Sequence, residues 1–150
     1  MPAKTIGAGQ YAASLLSLIF NGTTYAGFAT SAAGGFNNLY VSLHTSSAGL
    51  ATSGGGQQTN EAAYTSYARV AVQRNTGTSG WGVVANTVTP VANITFPQAT
   101  GGGETEAFFG VGTSAIGAGN LLYWGPISPT IAVSTNVTPI LTNASSISES

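Results

Sequence analysis

The chain offers one histidine, four glutamates and three basic side chains for any chemistry it performs. His44 is the sole imidazole, so a serine nucleophile would need it as base. Glu61, Glu104, Glu106 or Glu149 would then have to orient the ring. No Gly-x-Ser-x-Gly turn is present to present such a serine. Glu104 and Glu106 lie two positions apart, so on an extended chain both carboxylates face one way, about 7 Å apart. That separation suits attack on a glycosidic bond, but the Gly101–Gly102–Gly103 lead-in reads as an exposed loop rather than a groove. One histidine and two glutamates form a conceivable metal set, yet their spacing selects none. The glycine clusters at 54–56 and 101–103 lack the Lys-Ser/Thr pair that grips phosphate. The inventory therefore predicts no catalytic residue, no cofactor and no metal: a protein that is not an enzyme.

The scarce charge is concentrated between Thr59 and Arg74, which holds Glu61, Arg69 and Arg74. From Tyr67 to Arg74 the residues alternate, with Ala68, Val70 and Val72 on one face and Tyr67, Arg69, Ala71 and Gln73 on the other. That period of two is the signature of a half-buried strand. With no base or nucleophile converging on them, Glu61 and Arg69 are expected to pair. The bond would run from the lead-in loop to the outer face of the strand, or across to a neighbouring molecule. It would fix the loop from Thr45 to Asn60 against the sheet.

Only 5% of the 150 residues are charged, against about 25% in ordinary globular domains. There is no aspartate, and Gly, Ala, Ser, Thr and Asn must fill the surface. Such a surface opposes self-association weakly, which suits a protein covered by neighbours. A net charge of −1 with three basic residues cannot neutralise a phosphate track, so no nucleic-acid partner is expected. The absence of cysteine excludes a disulfide framework and thiolate metal sites. No apolar run approaches the roughly 20 residues of a membrane span, so no membrane partner is expected either. Lys4 followed by the apolar Tyr11–Phe20 run has the outline of a secretory signal. A short docking helix is the plainer reading, with Tyr11, Leu15, Leu18 and Ile19 sharing a face.

In order, residues 1–9 read as an arm and 10–20 as a helix ended by Asn21–Gly22, which tolerate a left-handed cap. Tyr25 and Phe28 are candidate anchors in an irregular stretch. Leu39, Val41 and Leu43 alternate with Tyr40, Ser42 and His44, placing His44 at the solvent-facing end of a strand. Further strands are expected at 81–84, 86–89, 91–96, 107–111, 121–125, 131–133 and 137–141, with Pro97, Pro126 and Pro129 as breaks. Residues 142–150 read as a polar tail. Short strands with turns every ten to fifteen residues predict an all-β fold, an antiparallel β-sandwich or jelly roll with one N-terminal helix, as a single domain over 10–141. No fixed-period repeat is present. Trp81 and Trp124, with Phe96, Phe108 and Phe109, could line a sugar groove. On separate strands they read better as core or interface anchors. Four Asn-x-Ser/Thr matches, at Asn21, Asn93, Asn136 and Asn143, are the chance product of a Ser/Thr-rich chain.

Several stretches in order, Leu39–Thr45, Thr59–Val72 with Tyr64 and Tyr67, Ile94–Pro97, Phe109–Thr113 and Leu121–Gly125, resemble small virion proteins of tailed bacteriophages. Those proteins often carry tail-fibre-like labels. The resemblance spans about residues 10–141. The loop at Ser46–Gly49 departs from the Asp-Pro-Gly turn often found there, and the charge is lower than in such proteins. The resemblance implies a β-rich virion component, assembled in the bacterial cytoplasm, without catalytic residues. The leading expectation is a capsid decoration (cement) subunit that binds the major capsid protein and copies of itself as a dimer or trimer. A tail, baseplate or fibre module is the alternative, and a carbohydrate-binding sandwich is the alternative of another class. Candidate interface residues are Leu15, Leu18 and Phe20 on the helix and Tyr40, His44, Glu61 and Arg69 on the sheet.

Overall fold

A computed structural model describes residues 8–23, 37–51 and 56–148. The expected anchors Tyr25 and Phe28, the Tyr11 side chain, Glu149 and most of the Gly54–Gly56 cluster lie outside the described residues. Among those described, one helix precedes nine strands. Helix α1 is Ala8–Asn21. The strands are β1 (Asn38–His44), β2 (Val70–Gln73), β3 (Trp81–Val84), β4 (Thr87–Pro90), β5 (Ile94–Thr95), β6 (Glu104–Gly112), β7 (Leu121–Val133), β8 (Ile140–Leu141) and β9 (Ile147–Ser148). Every pairing with a defined register is antiparallel. The fold is all-β with one short helix.

The strands divide into two compact units. The first gathers three separated segments, Met1–Asn37, Gln73–Ala92 and Thr142–Ser150. Here α1 lies on a three-stranded sheet of order β3-β4-β9. Among the described side chains of the helix, Leu16 and Phe20, one helical turn apart, are the wholly buried ones. Phe20 meets Trp81 edge-on at 4.7 Å between ring centroids, and Trp81 and Val88 are buried on the sheet. Gly22 has the left-handed φ of +64° expected of a helix stop. The Arg74 guanidinium donates to the carbonyls of Leu18 and Ile19, satisfying acceptors the last turn leaves open and complementing its negative end. Within the expected polar tail, Ile147 and Ser148 pair with Val88 and Thr87.

The second unit, Asn38–Val72 with Asn93–Leu141, holds a four-stranded sheet of order β2-β1-β6-β7 and the small β5-β8 pair. Leu39, Val41 and Leu43 of β1 and Val111 of β6 are buried, as the alternation requires. Ser42 and His44, on the opposite face, are buried as well. The expected outer face of β1 is therefore inside, and His44 is not solvent-facing.

Two proline breaks are absent. Strand β7 runs through Pro126 and Pro129 because it is the sheet edge, where a missing N–H costs no ladder bond. Its register also jumps. Glu106 faces Ile131 and Phe108 faces Pro126, so Ile127–Thr130 bulges from the ladder. Other strands are shorter than expected: β2 begins at Val70, and only Ile94–Thr95 and Ile140–Leu141 pair in their stretches. Strand β6 begins earlier, at Glu104. Glu104 and Glu106 thus stand in a strand and not in an exposed loop.

Candidate functional site

The polar groups of the second unit converge where the end of β1 meets the 56–69 segment. Asn60–Ala62 continues the ladder beside β1. Thr45 N–H donates to Asn60 O at 3.0 Å and Ala62 N–H to Leu43 O at 2.9 Å. This brings Glu61 opposite His44. Arg69 then closes on Glu61 with two parallel bonds, Nε to Oε1 at 2.6 Å and Nη2 to Oε2 at 2.7 Å. Such a fork is the strong form of the carboxylate–guanidinium contact. Tyr67 Oη donates to the same Oε1 at 2.8 Å and accepts from Leu43 N–H at 3.1 Å. Burial, first, and the Glu61 charge raise the Tyr67 phenol well above its usual range. The expected Glu61–Arg69 pair forms, and the Arg69 side chain is only 3% exposed.

Arg69 reaches further than the sequence indicates. Its Nη1 donates to Ser114 O at 2.8 Å and its Nη2 to Gly117 O at 2.7 Å, tying down the 113–119 loop. Gln57, fully buried, pins the same loop. Its Nε2 donates to Tyr40 O at 3.2 Å, and its Oε1 accepts from Ser114 N–H at 2.8 Å. Sequence reading missed Gln57. The available signal was a polar side chain within two residues of a glycine run, which calls for a loop anchor.

His44 and Ser42 have the distances of a base and nucleophile. Nε2 lies 2.8 Å from Ser42 Oγ, and Nδ1 lies 2.9 Å from Thr59 O. Since the carbonyl can only accept, Nδ1 carries the proton and Nε2 accepts from the serine. Burial holds the imidazole below its ordinary value of 6.5 and outweighs the Thr59 carbonyl and Glu61, which favour the charged form. The place of an orienting acid is taken by a backbone carbonyl, while Glu61 faces Arg69. Neither Ser42 nor His44 has exposed surface. Gly110, opposite Ser42 in the ladder, lies so close that a Cβ there would sit 2.6 Å from His44 Nε2. The pair is a packed hydrogen-bond relay inside the unit.

A second pair of acids flanks the 62–67 segment. Glu104 Oε1 accepts from Ala63 N–H at 2.8 Å and Tyr64 N–H at 2.7 Å. Glu106 is fully buried with no hydrogen bond of good geometry to either oxygen. Burial, first, and the adjacent Glu104 push its pKa up to about 8. Tyr64 donates to Pro97 O at 3.0 Å, and burial with both glutamates raises it to about 12.

The expected interface residues separate. Phe20 and His44 are wholly internal and offer no surface, because each fills a core position within its own unit. Arg69 and Glu61 are engaged with each other. Leu15, Leu18 and Tyr40 are half-buried. Of the two tryptophans considered for a sugar groove, Trp81 is buried, whereas Trp124 is 39% exposed on β7 beside Phe108. Leu122, Ile116 and Ile140 are the other exposed large apolar side chains described in this unit. Among the described residues, no three potential metal ligands cluster.

A family model described as "Podophage GP4 fiber I protein gp80" matches residues 9–148, nearly the whole chain. No curated protein matches the chain.

Proposed function

The chain belongs to the podophage GP4 fiber I protein gp80 family, and from that membership we propose that it is a non-enzymatic subunit of the tail-fibre apparatus. As a phage structural protein of the fibre-like kind, it is a virion component. The observation that carries the fibre reading over capsid decoration is the family match itself, which runs through both compact units from α1 to β9. The charge-poor composition and the neutral edge strand β7 support neighbours of the same virion, including further copies of this chain. From Ala107 to Ser148 there is no charged residue, so a partner surface there meets shape, apolar groups and neutral hydrogen bonds. The non-enzymatic reading rests on geometry, because the one nucleophile–base pair described is enclosed and the Glu104–Glu106 pair is turned into the fold.

The test is an immunogold or cryo-electron microscopy localisation on intact particles. We expect density or label at the tail fibres in a fixed number of copies. Label distributed over the capsid faces would overturn the fibre reading and favour a cement subunit clamping the major capsid protein.

A further inference from the structure

Strand β6 places Glu104 and Glu106 on one face, two residues apart, at the strand end nearest the 62–67 segment. Their situations differ. Glu104 holds two backbone N–H groups of that segment with one oxygen. Glu106 is enclosed, and neither oxygen makes a hydrogen bond of good geometry. An ionised carboxylate in that position would be buried without compensation, beside a second carboxylate.

Of the groups that face Glu106, Glu104 is on its own strand. Tyr64 comes from the 62–67 segment and is committed to Pro97 O. Ile131 opposes it on β7. The remaining charged groups of this unit, Glu61 and Arg69, are bonded to each other. Among the described residues no cation acts on Glu106. Glu104 favours its protonated form both as a neighbouring charge and as an acceptor.

We propose that Glu104 and Glu106 form a proton-dependent latch. A proton on Glu106 lets the two carboxyls lie together, so that Glu104 can hold Ala63 and Tyr64 against β6. Loss of that proton sets two carboxylates against each other in a closed site and releases the 62–67 segment. The folded state keeps its proton while the unfolded glutamate, with an ordinary value of 4.5, has lost it. The latch is therefore fully closed at low pH and weakens as pH rises toward about 8.

The experiment is amide hydrogen exchange of the whole protein between pH 5 and 9, corrected for intrinsic rates, on wild type and Glu106→Gln. In wild type the protection of Ala63 and Tyr64 should fall by about tenfold or more between pH 5 and pH 8 and level off above it. In E106Q, whose amide stays neutral, protection should be independent of pH. Should E106Q not fold, carbon-13 titration of the wild-type glutamate carboxyls gives the same answer. One resonance should titrate near 8, far above the others. Equal protection at pH 6 and pH 9, or the absence of a high-titrating glutamate, overturns the proposal. So does protection that follows added calcium or chelator at constant pH, which would make the pair a cation site.

Discussion

Arg69 donates to Glu61 through Nε and Nη2 and to the Ser114 and Gly117 carbonyls through Nη1 and Nη2, with almost no exposed surface. A guanidinium is suited to this because its planar fork serves several acceptors at once. Removing it leaves a half-buried carboxylate and two loop carbonyls to find other donors. Arg69→Met should therefore destabilise by about 2–4 kcal/mol in urea unfolding, near the range for breaking a buried ion pair. A double-mutant cycle with Glu61→Gln should return a coupling of about 1–3 kcal/mol. A coupling near zero would class the pair with ordinary surface ion pairs. Scarcity made this pair legible: a chain with seven charges that sets two of them eight residues apart has few other partners to offer. The carbonyls that Arg69 also binds lie 45 and 48 residues away, and nothing local in the sequence encodes that distance.

Strand β1 shows why one element was only half readable. The alternation of Leu39, Val41 and Leu43 identifies a core face correctly, but Ser42 and His44 on the other face look like solvent residues. They are enclosed through partners supplied elsewhere, Thr59 O for the imidazole and Gly110 across the ladder. Polar residues are readable as exposed only when no later segment returns to satisfy them. Gly110 is a steric requirement of this arrangement, since a methyl would fall within 2.7 Å of Ser42 Oγ and Leu121 Cδ1. Gly110→Ala should cost about 1–3 kcal/mol by overpacking. It should also disturb the His44 ring resonances in nitrogen-15 spectra. An unchanged midpoint and unchanged spectrum would show that the strands part more easily than their packing implies. The prolines of β7 teach the converse. Pro126 and Pro129 read as breaks because a central strand could not hold them, while the edge and its bulge do so readily.

At the scale of the molecule, two enclosed titratable groups oppose each other in their effect on stability. The His44 value is lowered by burial, so its contribution is complete above 6.5 and is lost as pH falls below it. The Glu106 value is raised, so its contribution is complete below 4.5 and is lost as pH climbs toward about 8. From 4.5 to 6.5 the two losses oppose each other, so the urea midpoint should change little there and should fall as pH rises from 6.5 toward 8. His44→Gln removes the opposing loss, so its midpoint should already fall with pH above 4.5. A variant whose profile between 4.5 and 6.5 matches wild type would assign the opposing loss to another group. The all-β class was readable from turn spacing because turn chemistry is local. The gathering of strands into two units was not, because it depends on which distant segments meet. That gathering bears on the order in which the protein can be finished during synthesis. The strands of the second unit are complete once Leu141 has been made. Among the described elements the first unit contains the first helix and the last strand, so its sheet needs segments from both ends of the described chain. Without Ile147 and Ser148 against β4 that sheet is a two-stranded hairpin, and its β4 edge stands open to pairing with another chain.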